Sequence, residues 1–445
     1  MSFLSRAAFQ VSFASTGLLL LSGCGGASPQ EKSAGGQPTE TVSATVAKIG
    51  QINVFVDMSG GMQGFMHSND PTRNEAASAF QRTVIDLLSD VNSFSPKLKA
   101  PPAYYFFKEK EPTNPKLLVP SSYEQMTATV SGGLKNAARG SELPQMLSEA
   151  LKLQASKPGT VSILISDFIF APQNVKDTWR IKTFIKDALN AVAPAKLAVS
   201  VFANTSEFRG NFYPGNRTRP PQVLNGEKLP YYIWVLGDPA LVAQVDGDLL
   251  KQLAAQPQAH YNVAFTPPYS VPDFLTDPVG RWTVTESADG NVPKVAFTEK
   301  PTMGKPAEVV VALDLSKLPA SVASQANAKT LRLTENNVGA TLTRVFSLAQ
   351  MSDANLQPAL KKYTHFAQLR FVQAPAGAVT LHLELARTEP AWVAGYTTMW
   401  DSGIKKQGPK TYYLREVMLG VEEYFAGEPG AQRVFSLPVQ VETRD

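Results

Sequence analysis

The chain holds a single cysteine, Cys24, and only four histidines, His67, His260, His365 and His382. One thiol excludes an internal disulfide, and so few histidines leave zinc sites of the thiolate or histidine-rich kind without ligands. The formal charge is only +4 and no stretch concentrates lysine and arginine, so nothing in the charge pattern points to nucleic acid. No apolar run is a convincing membrane span. The best one, Ala7 to Leu21, is short and diluted by Gln10, Ser12 and Ser15. Gly-x-Ser-x-Gly, His-Glu-x-x-His and P-loop spacings are absent, and no internal repeat is evident. No small-molecule cofactor is predicted. Apolar residues make up 43% of the chain, enough for large cores, and the length suits two domains.

The lone cysteine has a telling context. Arg6 precedes the apolar stretch, which ends in Leu19-Leu20-Leu21-Ser22-Gly23-Cys24. Small residues before one thiol resemble the lipobox of bacterial lipoproteins. The resemblance implies that residues 1–23 are a signal peptide and that Cys24 carries acyl chains such as palmitate. An ordinary cleaved leader with an incidental cysteine is the alternative. Each buried methylene adds about 0.8 kcal/mol, and stable anchoring takes more than one chain. Gly25 rather than aspartate follows the cysteine, which in Gram-negative lipoproteins favours the outer membrane. With its thiol spent on lipid, the folded part must hold together by packing.

Residues 24–48 read as a flexible tether, because Gly, Ser, Ala, Gln, Pro and Thr dominate and apolar residues are too few for a core. From 49 to 256 strands and helices alternate. Ile52 to Asp57, Ala103 to Phe107, Thr160 to Ser166, Leu197 to Phe202 and Tyr231 to Leu236 read as strands. Helices are expected after Thr72 and Glu75, which are spaced as a capping box, and over Glu142 to Leu153, Val175 to Val192 and Pro239 to Leu253. The first places Ala77, Phe80, Val84, Leu87, Leu88 and Val91 on one face. This alternation predicts a doubly wound, Rossmann-like α/β sheet. Thr205 to Leu229, rich in Asn, Arg and Pro, reads as a long loop. From 257 to 445 short runs with period-2 alternation predict a β-rich, sandwich-like domain. Thr411 to Phe425 is a late helix there, and Val434 to Val441 closes the chain as a strand.

The sharpest constellation is Val54-Phe55-Val56-Asp57-Met58-Ser59-Gly60-Gly61. A buried strand ends in an aspartate with a serine two residues on. Ligands of open α/β sheets collect at the carboxyl ends of strands, and oxygens in a tight turn suit a hard cation such as Mg²⁺. The stretch resembles the start of a von Willebrand factor A domain, whose metal-ion-dependent adhesion site begins Asp-x-Ser-x-Ser. Gly140-Ser141, before a predicted helix, matches the family's second-loop hydroxyl, with serine in place of threonine. Ile163-Leu164-Ile165-Ser166-Asp167 matches its central strand and following aspartate. The resemblance implies Asp57, Ser59 and Ser141 as ligands of a divalent ion, directly or through water, with Asp167 in the outer shell. Gly61 stands where the family has its second serine, so water would fill that vertex or the site would be weaker or empty. His67 and Asp70 lie in a lengthened loop after the motif and are not taken as ligands.

Each of these residues also has a plain structural use. Asp57 and Asp167 can close turns with local N–H groups, and Ser141 is a good helix N-cap. Three functional readings follow. In the first, a membrane-anchored lipoprotein binds an envelope protein whose Asp or Glu completes the ion's shell. The second is a metal-independent scaffold of an envelope complex, for which Gly61 is the motive. The third is an envelope hydrolase. Against catalysis, nucleophilic chemistry needs a base beside a serine or cysteine, and no such pair is legible. His382 alternates onto the polar face of a strand, and His260 and His365 begin strands where a surface place is expected. Tyr104 to Phe107 and Tyr231 to Trp234 read as packing aromatics, and Tyr396 to Trp400 as an irregular, exposed segment.

Overall fold

The computed structural model describes residues 48–67, 76–110, 116–135, 137–138, 140, 142–172, 174–215, 217, 220–272, 279–286, 292–324, 326, 329–334, 339–351 and 358–444. Cys24, the tether up to residue 47, Asp70, Thr72, Glu75 and Ser141 lie outside them. Seven strands build the first sheet: β1 (Gln51–Asp57), β2 (Ala103–Phe107), β3 (Leu118–Ser121), β4 (Thr160–Ser166), β5 (Ala198–Phe212), β6 (Gln222–Gly237) and β7 (Gln258–Tyr261), in the order β3-β2-β1-β4-β6-β5-β7. β1 pairs parallel with β2 and β4. Every residue of β4 is buried, as its unbroken apolar run requires when both faces are covered.

Helices cover both faces. On one side lie α1 (Gly60–Gln63), α2 (Ala79–Phe94), α3 (Tyr123–Gly132) and, later in the chain, α6 (Pro239–Asp248). On the other lie α4 (Leu143–Ser156) and α5 (Ile181–Leu189). α2 starts later than the Thr72–Glu75 spacing suggests. Ser78 is its N-cap, with a reciprocal capping box to Gln81, so Ala77 precedes the helix while Phe80, Val84, Leu87, Leu88 and Val91 are buried as expected. Residues 175–180 form a 3₁₀ turn before α5 instead of one long helix.

The sheet is mixed rather than wholly parallel: β3 and β7 run antiparallel to their neighbours β2 and β5, and so does β6 in the middle of the sheet. The segment from Thr205 to Leu229, read as a loop, is the outer half of a β5–β6 hairpin. β6 returns between β4 and β5, antiparallel to both. Phe208, Phe212, Leu224 and Leu229 are buried on its inner side. That spaced apolar set outweighs the Asn, Arg and Pro that suggested a loop.

Beyond β7 come two further sheets. One has the order β12-β15-β18-β10-β9, from β9 (Trp282–Glu286), β10 (Pro293–Phe297), β12 (Leu331–Thr334), β15 (Val379–Ala386) and β18 (Arg433–Thr443). The other runs β13-β14-β11-β8, from β8 (Tyr269–Ser270), β11 (Ala307–Leu313), β13 (Ala340–Ser347) and β14 (His365–Phe371). Their buried faces share an apolar layer, in which the rings of Phe297 and Phe371 lie 5.0 Å apart.

One late segment returns to the first sheet. The helix Leu414–Phe425 buries Leu414, Val417, Met418, Val421 and Phe425 among residues of α4, α5 and the sheet. Tyr424 donates its hydroxyl proton to the Val192 carbonyl at 2.7 Å. A two-stranded ladder, β16 (Thr397–Thr398) with β17 (Thr411–Tyr412), precedes this helix. Of the expected exposed segment, Tyr396 ends a helical turn, whereas Met399 and Trp400 are exposed.

Candidate functional site

β1 and β4 are adjacent and parallel, so their carboxyl ends bring Asp57 and Ser166-Asp167 together. Asp57 Oδ1 accepts a hydrogen bond from the Ser59 N–H at 2.8 Å, and Oδ2 accepts one from Ser166 Oγ at 2.7 Å. The first bond shapes the turn, and the second ties β1 to β4. Ser59 opens α1, where its side chain makes no capping bond. The neighbouring loop is pinned to this turn, with Gly60 N–H donating to the Ala138 carbonyl and Ala138 N–H to the Met58 carbonyl, each at 2.8 Å.

The turn after β4 is sharp. Phe168 adopts φ +54° and its N–H donates to Ser166 Oγ at 3.0 Å. The left-handed conformation is costly for an aromatic residue. Burial against Trp234, stacked at 4.5 Å between ring centroids, holds it there. The turn sends Asp167 toward α1. Asp167 Oδ1 accepts from the Ile169 N–H at 3.0 Å, and the Asp167 N–H lies 3.2 Å from Met62 Sδ. Ser59 Oγ and Asp167 Oδ2 both lie within 3.6 Å of the point that a Cβ on Gly61 would occupy. Thus Asp57, Ser59 and Asp167 converge, and all three are buried. Ser141 lies outside the described residues, although its neighbour Gly140 lines the same cleft.

The electrostatics are those of two buried carboxylates side by side. Burial, then the charge of Asp57, raises the Asp167 carboxyl from its ordinary 3.8 to about 8, against the opposing pull of the Ile169 N–H. A proton on the pair or a cation beside it relieves this repulsion. The donor set of two carboxylates and a hydroxyl fits a hard, oxygen-seeking ion. Among the described residues, no group of three or more His, Cys, Asp or Glu side chains gathers in a way that could hold a metal. Hydroxyls and water would therefore have to complete any shell.

Above these residues opens a cleft of about 730 Å³, with Ser59, Gly61, Asp167, Lys135, Tyr213 and Arg217 in its walls. Tyr213 and Arg217 come from the β5–β6 hairpin tip. Arg217, at φ +50°, spreads its guanidinium over Glu109, with Nη2 at 2.7 Å from Oε1 and Nη1 at 3.3 Å from Oε2, while Nε donates to the Ala171 carbonyl at 2.7 Å. Such a fork fixes orientation as well as charge. The tip is held from the far end of the chain. Asp401 Oδ2 accepts from the Gly215 N–H at 2.6 Å, and its carbonyl accepts from Gln222 Nε2 at 3.0 Å. A Cβ on Gly215 would run into the Tyr412 ring.

Sequence reasoning missed Glu109, Arg217 and Asp401. Glu109 had a usable signal, since it follows β2 by two residues at the same end of the sheet as Asp57 and Asp167. It also misplaced His260, which is buried. Its Nδ1 lies 3.0 Å from Ser200 Oγ and 3.3 Å from Asp246 Oδ2, and its Nε2 lies 3.0 Å from Gln258 Oε1. The cause is β7, an edge strand covered by α6 and the segment after it, which the short run at 258–261 does not announce. His382 is half-buried, with Nδ1 3.1 Å from Ser436 Oγ. His365 is also half-buried, and burial draws its imidazole below the ordinary 6.5.

No protein-family model, curated protein or solved structure matches this chain. Its site has to be read from its own residues.

Proposed function

We propose that this chain is a membrane-anchored bacterial lipoprotein, acylated at Cys24, whose von Willebrand factor A-like domain binds a protein partner in the cell envelope. The anchor is the outer membrane if the source is Gram-negative. Binding runs through the cleft at the carboxyl ends of β1 and β4, and no catalytic step is assigned to it. One observation carries the reading: buried Asp57, Ser59 and Asp167 converge, and Ser59 and Asp167 line a 730 Å³ cleft. Two adjacent carboxylates are an unfavourable arrangement on their own. They suit a site that holds a divalent cation.

Asp57, Ser59 and Asp167, with Ser141 as the expected further hydroxyl, would hold the ion. Mg²⁺ bound there supplies a Lewis-acid contact for a carboxylate of the partner. The chain's own residues do the rest. Ser166 and the Ser59 N–H orient Asp57, and the hairpin tip limits access from above. Affinity capture from membranes tests this reading, since the partner should be retained with Mg²⁺ and released by EDTA. Retention in EDTA together with full binding by Asp57→Ala would reject it.

A metal-independent scaffold is the second reading. The observation favouring it is that the Asp167 carboxylate itself takes the room beside Gly61, where the family places a hydroxyl ligand. In that case a shared proton satisfies the carboxylate pair, and Asp57→Ala leaves partner binding intact.

A further inference from the structure

We propose that the cleft beside Asp167 is one end of a longer groove that seats an extended, acidic polypeptide segment of the partner, read at the far end by Lys135 and Arg209. The inference rests on the binding reading above and adds the partner's chemistry.

A second cleft of about 520 Å³ adjoins the first, and Gln63 and Lys135 stand in the walls of both. Its lining includes Gly64, Gly132, Gly133 and Gly210, which add no side-chain bulk to the wall. Walls without side-chain bulk leave room for an extended polypeptide to lie close. The sign of the charge is equally specific. Lys135 and Arg209 are exposed, and no carboxylate among the described residues lines the second cleft. In the first cleft the charge of Arg217 is already taken by Glu109. Among the described residues, the cations that face an occupant along the groove are therefore Lys135 and Arg209. An acidic segment can place one carboxylate at the Asp57–Ser59–Asp167 end and others beside these two. Nucleic acid and other polyanions fit less well, because among the described residues Tyr213 is the only aromatic residue lining the first cleft and His67 the only ring in the second.

The test uses the full-length chain in detergent and a fluorescein-labelled hexa-aspartate peptide, read by fluorescence anisotropy at low and physiological salt. Hexa-aspartate should bind, hexa-asparagine should not, and salt should weaken the binding. Lys135→Glu/Arg209→Glu should weaken it by roughly tenfold or more at low salt. Both side chains are exposed, so an unchanged melting temperature confirms that the variant folds. Failure of hexa-aspartate to bind, or equal binding by the charge-reversed variant, overturns the groove. Equal capture of a polyphosphate of the same charge, with the same dependence on Lys135 and Arg209, overturns its assignment to polypeptide. The two readings fail separately. Binding lost on charge reversal but indifferent to Mg²⁺ and to Asp57→Ala keeps the groove and rejects the cation. The opposite pattern keeps the cation and rejects the groove.

Discussion

The carboxylate of Asp167 occupies the space that any side chain on Gly61 would need. The two residues are far apart in sequence and belong to different turns, yet each fixes what the other can be. A serine at position 61 and the present placement of Asp167 are mutually exclusive.

Gly61→Ser therefore should not restore a better ion site. Its Cβ would collide with Asp167 Oδ2 and force the carboxylate aside. The expected cost is about 1–3 kcal/mol, the usual range for overpacking a filled site. Urea denaturation in EDTA measures it. A variant as stable as the parent, with tighter Mg²⁺ binding, would show that the glycine is not sterically required.

Asp167 predicts a pH dependence with a definite sign. Its carboxyl titrates at about 8 in the folded protein and near its ordinary 3.8 when unfolded. Between those values the folded state holds a proton that the unfolded chain has released, so stability falls as pH rises. The contribution is full below about pH 4, declines through the neutral range and levels off above about 8. Denaturation midpoints in EDTA should drop from pH 5 to pH 8, and Asp167→Asn should flatten much of that slope. Added Mg²⁺ should stabilise the protein more at pH 8 than at pH 5. An Asp167→Asn protein with an unaltered slope would contradict this origin.

The hairpin tip hangs on Asp401. Asp401→Ala removes the acceptor of the buried Gly215 N–H, at an expected cost of about 1–3 kcal/mol. Hydrogen exchange should quicken at Tyr213, Gly215 and Arg217 while β4 stays protected. Uniform exchange across the sheet would mean that the contact does not act locally.

Arg217→Ala strands the buried Glu109 carboxylate. Breaking a buried pair in this way costs on the order of 3 kcal/mol. Arg217→Lys keeps the charge but loses the two-point fork, so its loss should be smaller and its tip less ordered. Equal losses for the two variants, measured by thermal denaturation, would show that charge has no part in the contact.

The proposed acylation predicts that Cys24→Ser shifts the protein from the membrane to the soluble fraction and abolishes labelling by a palmitate analogue, because acyl chains would supply the anchoring free energy. Persistence in the membrane fraction would refute the anchor.

The parts of the fold that were legible in the sequence are those set by local pattern. The continuous apolar run of β4 and the apolar stripe of α2 sit where residue spacing places them. Asp57 and Asp167 could be found because each terminates or follows such a strand. What escaped was built by long-range pairing. Arg217 meets Glu109 across 108 residues and Gly215 meets Asp401 across 186. No local periodicity encodes either contact. The hairpin was hidden by Asn, Arg and Pro, residues that favour loops until a buried partner strand overrides them. His260 was hidden in the same way, because a four-residue edge strand carries too little pattern to reveal what covers it.

The proposed cation site is probed by isothermal titration of Mg²⁺ into the full-length chain in detergent near pH 7.5, beside Asp57→Ala and Asp167→Ala, with folding of each variant checked by circular dichroism. The parent chain should give heat from one site, and neither folded variant should give any. No heat in the parent, or the same heat in folded Asp57→Ala, would contradict the proposed site.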